Sequence, residues 1–168
     1  MADPIQRIAV IGAGAWGTAL ASVAQRAGRQ VVIHAHEAET AEAINIGHEN
    51  KVFLPDIPLD PDIRATTGLD DAVGNADAIL MVTPAQFLRP TLTKIADAKP
   101  GPLPIVICAK GIELDSGLLM NEVAEIAAPN ARLAVLSGPT FAAEVARGLP
   151  TAVTLACADG SLATALAE

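Results

Sequence analysis

The amino-acid sequence predicts an α/β protein: a doubly wound parallel sheet with helices on both faces. Short strand-like runs recur near residues 7–12, 31–35, 78–83, 104–109, 132–137 and 151–157, with a weaker one, IRATT, near 63–67. Helix-period stretches lie between them, and strands alternating with helices along a whole chain give a parallel sheet. The runs are also short and apolar throughout, as in AILMV at 78–82 and IVICA at 105–109. Strands covered by helices on both faces require that composition.

The elements follow in order. RIAVI, from Arg7, leads into Gly12, Gly14 and Gly17. Leu20, Val23, Ala24 and Ala27 then take the spacing of one helix face, and Gly28 stands where a helix C-terminal cap belongs. Residues 47–62, GHENKVFLPDIPLDPD, form the one long irregular stretch. A loop of that length in a compact domain is functional or poorly ordered. Shorter helical candidates lie at Asp70–Gly74 and Gln86–Ala98. Leu119, Val123 and Ile126 mark a further helix stopped by Pro129, and the closing SLATALAE reads as part of another.

At 168 residues a single domain over 1–168 is expected, with enough chain to bury a core. The chain is 51% hydrophobic, yet no run approaches the roughly 18 apolar residues that span a bilayer. The N-terminus shows no basic region followed by a continuous apolar one, so no signal peptide is expected. A net charge of −8 argues against nucleic acid as a partner, because neutralising phosphates takes clustered Lys and Arg. Cys108 and Cys157 fall in apolar runs without CxxC spacing and read as small buried hydrophobes. A cytoplasmic location is expected on these grounds.

Glycines directly after a strand and opening a helix have the context of a dinucleotide-binding turn. Gly12 permits the tight turn, Gly14 lets a pyrophosphate approach the backbone, and Gly17 lets helix and strand pack closely. The N–H groups of Ala15, Trp16 and Gly17 would then hold the anion. Ligands of open α/β sheets lie beyond the carboxyl ends of the strands. There the sequence places HE at 36–37, TPAQF at 83–87, KGIE at 110–113 and SGPTFAAE at 137–144. Unusual chemistry gathered at the ends of six strands describes one site.

Lys110 closes PIVICAK and has two readings. It is either a lysine reaching from a strand end into water, or a fixed positive charge beside a cofactor that holds a phosphate or polarises a carbonyl. SGPTFAAEVARG is a capped helix start, an anion site, or both, with the Thr140 hydroxyl suited to each. Trp16 either covers the first helix or belongs to the site, and Phe87 is either core or a ring near the cofactor. His36 stands near the position where NAD enzymes place an acid on the ribose 2′-OH, with Glu37 next to it. His34, His36 and His48 share no metal-ligand spacing, so no metal site is expected, and no Ser/His/Asp arrangement is present.

VIGAGAWGTALA, HENKVFLPDIPL, AKGIE and above all LSGPTFAAEVARGLPTA resemble the bacterial NAD(P)-dependent glycerol-3-phosphate dehydrogenases, from about residue 7 to residue 157. The resemblance implies a Rossmann-like domain that binds NAD or NADP. It also implies hydride transfer between dihydroxyacetone phosphate and glycerol 3-phosphate, feeding phospholipid synthesis. It assigns cofactor contacts to Ala15, Trp16, His36 and Ala142, and both cofactor and substrate contacts to Lys110. Gly138 and Thr140 match substrate-binding positions, and Phe87 matches an aromatic close to the nucleotide.

Two departures from the family pattern stand out. Many relatives carry serine where this chain has Ala15, which leaves only backbone N–H groups for the pyrophosphate there. The family also continues into a helical domain that holds the catalytic lysine, so no catalytic residue is expected within these 168 residues and the isolated piece is expected to be inactive. A small anionic phosphate is the expected substrate, and a homodimer stays open. Two other readings also stay open: the cofactor domain of a hydroxyacid or ketopantoate reductase, disfavoured by SGPTFAAE, and a non-catalytic nucleotide sensor, disfavoured by Lys110.

Overall fold

A computed structural model describes residues 5–168; the N-terminal reading made above rests in part on residues 1–4, which lie outside the described residues. Seven strands form one sheet in the order β5-β2-β1-β6-β7-β8-β9. They are β1 (Arg7–Ile11), β2 (Gln30–His34), β5 (Arg64–Thr66), β6 (Ala78–Met81), β7 (Pro104–Ile107), β8 (Arg132–Ser137) and β9 (Thr154–Cys157). The chain starts at the centre, builds outward to β5, then crosses back over β1 to build the other half. That crossover puts the topological switch point between β1 and β6, which pair in parallel through Ile8–Ala78 to Ile11–Met81.

The helices are α1 (Ala15–Arg26), α2 (Ala38–Glu42), α3 (Leu69–Val73), α4 (Leu88–Ala98), α5 (Met120–Ala127), α6 (Ala142–Ala146) and α7 (Gly160–Ala167). They bury both faces of the sheet. On one face Ile11, Ile79, Met81 and Ile107 pack with Leu88, Leu92 and Ile95 of α4 and with Val123 of α5. On the other, Val10, Val31 and Ile33 meet Ala21 and Ala24 of α1. Central strands buried on both faces explain why the runs read as continuously apolar.

Four expectations need correction. The sheet is not wholly parallel: β9 runs antiparallel to β8, from Ala134–Cys157 to Ser137–Thr154. The connection from β8 to β9, residues 138–153, carries α6 and brings the chain back along β8, so the last strand pairs in the opposite direction. Second, the segment 47–62 is ordered as a hairpin of β3 (Glu49–Asn50) and β4 (Leu54–Pro58). Its Leu54 and Ile57 are buried with Ala19 of α1 and Val145 of α6, so the apolar residues among its prolines and aspartates are anchors. Third, helical spacing over-read some faces. Val23, Leu119 and Ile126 are exposed, and α5 instead buries Met120, Val123 and Ala124. Fourth, Cys157 is only half-buried, unlike Cys108.

Two helix ends behave as their residues dictate. Gly28 adopts φ +78° just past the end of α1, the left-handed conformation that favours glycine. Lys99 donates from Nζ to the carbonyls of Val73 (3.1 Å) and Gly74 (3.2 Å), closing the end of α3 with a cation. Unforeseen from sequence, α2 runs into a π-helical turn at Ala43–Gly47 that leads to His48, at φ +50°.

Candidate functional site

The three glycines after β1 have separable roles. Gly12 has φ +120°, and a Cβ there would stand 2.9 Å from the carbonyl oxygen of Val82, so the end of β6 crowds it. A Cβ on Gly17 would overlap the carbonyl oxygen of Gly12, which lets α1 lie close on the turn. Gly14, the N-cap residue of α1, has an ordinary φ of −68°, and a Cβ on it would meet nothing within 4 Å. Two glycines therefore answer to packing, while the third faces open space at the N-terminus of a twelve-residue helix. Among the described residues the N–H groups of Gly14, Ala15, Trp16 and Gly17 reach no protein acceptor. Unpartnered backbone N–H groups at a helix N-terminus form a cradle of the kind that can hold an anion.

The carboxyl ends of β1, β2, β6, β7 and β8 converge on this end of the sheet. Of the six strands expected to contribute, the antiparallel β9 ends at the opposite side, so that expectation is one strand too many. His36 and Glu37 follow β2, and both are exposed. Phe87 ends a 3-10 turn (Ala85–Phe87) after β6 and is 61% exposed, which removes its core reading. Thr83, beside Gly12, and Thr140, after β8, each bury a hydroxyl oxygen that has no hydrogen-bond partner. Orphaned buried hydroxyls are rare, and two at one end of a sheet fit a polar ligand there.

Lys110 lies three residues beyond β7, is exposed, and makes no ion pair with any described residue. Its loop is held from below. Arg89 of α4 grips Glu113 with Nε to Oε1 at 2.8 Å and Nη2 to Oε2 at 2.7 Å, and Glu113 is only 9% exposed. The Arg89 guanidinium and the Ser116 hydroxyl hold the Glu113 carboxyl down at about 2. Gln86 donates to the Ile112 carbonyl and accepts from Leu114 N–H, at 2.9 and 3.0 Å. Burial pushes the neighbouring Cys108 thiol up to about 12 against the opposing Lys110 charge, and at 4% exposure this is the setting of a structural cysteine.

The SGPTFAAE segment departs from one expectation. The N-cap of α6 is Phe141 and no side chain caps it, so Thr140 is not a helix cap. Its buried hydroxyl has no hydrogen-bond partner, and Phe141, extended at φ −107°, follows it as the N-cap residue. Gly138 answers to packing: a Cβ there would lie 2.8 Å from the Ala152 carbonyl oxygen, where the chain returns into β9. Ala142 and Trp16 pack on the small cluster that joins α1, α6 and the hairpin, with Ala15 beside them. Trp16 therefore does cover α1, and it does so at the edge of the cradle.

Sequence reasoning missed Asn50. Only 1% exposed, its side chain donates to the Ala13 carbonyl and to Thr18 Oγ1, each at 2.8 Å. The signal was an amide set in an otherwise unexplained loop opposite a glycine turn. A cavity of about 970 Å³ opens elsewhere, lined by Arg7, Gln30 and Arg64 at the starts of β1, β2 and β5. It lies at the wrong end of the sheet for the chemistry gathered above.

A parallel sheet with its switch point beside a glycine cradle defines an α/β domain of the dinucleotide-binding type. The family model for the NAD-dependent glycerol-3-phosphate dehydrogenase N-terminus matches residues 7–163, and the chain belongs to that family. The glycerol-3-phosphate dehydrogenase [NAD(P)+] of Rhodospirillum rubrum is 60% identical over 162 residues, covering 96% of this chain and 46% of that protein. That of Parvibaculum lavamentivorans is 58% identical over 161 residues, covering 96% and 48%. The crystal structure of the Coxiella burnetii glycerol-3-phosphate dehydrogenase superposes with a TM-score of 0.89 at 31% identity, covering 96% of this chain and 50% of that one. The chain spans about half the length of the curated relatives it matches. Among the described residues, no helix is long and apolar enough to cross a membrane.

Proposed function

We propose that residues 1–168 are the dinucleotide-binding domain of an NAD(P)-dependent glycerol-3-phosphate dehydrogenase, which interconverts dihydroxyacetone phosphate and glycerol 3-phosphate. The observation that carries the reading is the turn at Gly14, where four N–H groups at a helix N-terminus have no protein acceptor and a Cβ on Gly14 would meet open space. NAD or NADP, bound there by its pyrophosphate, supplies or accepts the hydride. The glycine turn (Gly12, Gly14, Ala15, Trp16, Gly17) would hold it, with His36, Phe87 and Ala142 around it.

Lys110, Gly138 and Thr140 would take the phosphate-bearing substrate. Lys110 supplies the positive charge, the Thr140 hydroxyl a hydrogen bond, and Gly138 the close backbone. With a net charge of −8, long-range attraction does not bring an anion here, so this local lysine has to hold it. Proton transfer at the substrate oxygen needs a positioned acid or base, which the family resemblance places beyond residue 168. The exposed Leu114 (82%) and Phe141 (74%) at the site's rim support a partner surface there, in a second domain or a homodimer. Two free cysteines fit a reducing cytoplasm.

The test is reduction of dihydroxyacetone phosphate by the full-length enzyme that carries this domain, followed by loss of NADH absorbance. Turnover of this substrate in preference to 2-keto acids and ketopantoate supports the reading. A preference for either of those assigns the domain to another dehydrogenase.

A further inference from the structure

We propose that Asn50 is the positioning residue of the nucleotide turn: its carboxamide fixes the direction in which the Gly14 and Ala15 amides face a pyrophosphate. The proposal rests on the nucleotide-binding reading above. Asn50 reaches the turn from outside it, from β3 of the hairpin. The strand register shifts between Glu49 and Asn50, pairing them with Pro58 and Leu54. A bulge of that kind re-aims a side chain, here into α1.

The network is complete. Asn50 Nδ2 donates to Ala13 O and Thr18 Oγ1, both at 2.8 Å, while its Oδ1 accepts from Phe53 N–H at 3.3 Å. Thr18, fully buried, donates a hydrogen bond from its own hydroxyl to Gly14 O at 2.9 Å. The two side chains thus pin the carbonyls of two successive peptides, Ala13–Gly14 and Gly14–Ala15. A peptide is planar and trans, so fixing C=O inward fixes the following N–H outward. Those two N–H groups belong to Gly14 and Ala15, at the mouth of the cradle. The Gly14 carbonyl also accepts the first bond of α1, from Thr18 N–H at 3.0 Å, whereas Ala13 O is held by side chains, so the Gly14 N–H is the one that depends on Asn50 most. A hairpin that needed only anchoring has Leu54 and Ile57 for that, and a buried amide adds a desolvation cost unless its bonds are used.

The experiment titrates the wild-type chain, Asn50→Ala and Thr18→Val with NADH, and with adenosine, which lacks the pyrophosphate, as competitor. Folding of each variant is followed by circular dichroism. The expected result is an NADH dissociation constant raised about tenfold in both variants, with adenosine affinity within about twofold of wild type. Thr18→Val keeps the side-chain shape, so it carries the test if Asn50→Ala does not fold. Unchanged NADH affinity in a folded variant overturns the proposal. An equal loss for NADH and adenosine also overturns it, because that marks a collapsed site and not a misdirected turn. Failure of the wild-type chain to bind NADH overturns the nucleotide reading itself, and is seen before any variant is compared.

Discussion

The carbonyl oxygen of Gly12 lies where a β-carbon on Gly17 would have to stand, so the turn and the first turn of α1 interlock without side chains. Gly17→Ala forces backbone apart in a packed region and is expected to cost about 1–3 kcal/mol of stability. Gly14→Ala meets no atom, takes an allowed φ, and should leave stability within about 1 kcal/mol. Its methyl would instead occupy the space of a pyrophosphate, so NADH affinity should fall sharply. Paired thermal melts and NADH titrations separate the two variants. Equal stability losses would contradict the division of roles.

The Arg89–Glu113 pair should show in the acid stability of the protein. The Glu113 carboxyl is held at about 2, below its ordinary 4.5, so between those values the unfolded chain binds more protons than the folded one. Its contribution is full above about pH 4.5 and is lost as pH falls through about 2. Asp77, held at about 2 by Arg7, acts in the same sense over the narrower window below its ordinary 3.8. Glu113→Gln should therefore flatten, without abolishing, the fall of melting temperature below about pH 4.5. An unaltered slope would show that the pair contributes nothing in solution.

Lys110→Ala, in a full-length enzyme carrying this domain, should damage use of the phosphate substrate more than binding of NADH. Losing one charge-assisted contact to a phosphate or developing oxyanion costs ~2–4 kcal/mol, or roughly 30- to 1000-fold in kcat/KM. Steady-state kinetics and NADH titration on the same preparation check both halves. Wild-type kcat and KM would return Lys110 to the role of a solvated strand-end lysine.

Cofactor choice turns on His36 and Glu37 after β2. An acid directed at the ribose repels a 2′-phosphate and an arginine attracts one, whereas the histidine does neither strongly. Both NADH and NADPH should bind, with affinities less than about a hundredfold apart. A larger preference for NADH, measured by competition, would mean that Glu37 and not His36 meets the ribose.

Most of the frame was legible because it rests on local patterns. β1, Gly12–Gly17 and α1 carry their own turn chemistry, and five strand ends carried the polar residues of the site. What escaped notice depends on long-range fit. β9 reads like any short apolar strand, and its direction is set by how the chain returns after α6, which its own residues do not carry. The hairpin at 49–58 lacks a regular period because Leu54 and Ile57 are buried against α1 and α6, elements remote in sequence. Asn50 was hidden for the same reason, since its partners Ala13 and Thr18 lie over thirty residues away. Gly138, read through the family resemblance as a substrate contact, turns out to have a packing reason that no local pattern carries.

The most direct test is calorimetric titration of residues 1–168 with NADH, run beside an absorbance assay for dihydroxyacetone phosphate reduction at the same concentrations. In the proposed function a mostly backbone pyrophosphate grip lies within these residues, and the acid or base for the substrate oxygen is expected beyond them. The expected result is saturable binding at a single site with no steady turnover. Absence of binding would contradict the cradle at Gly14, and measurable turnover would show that a catalytic group lies within this chain.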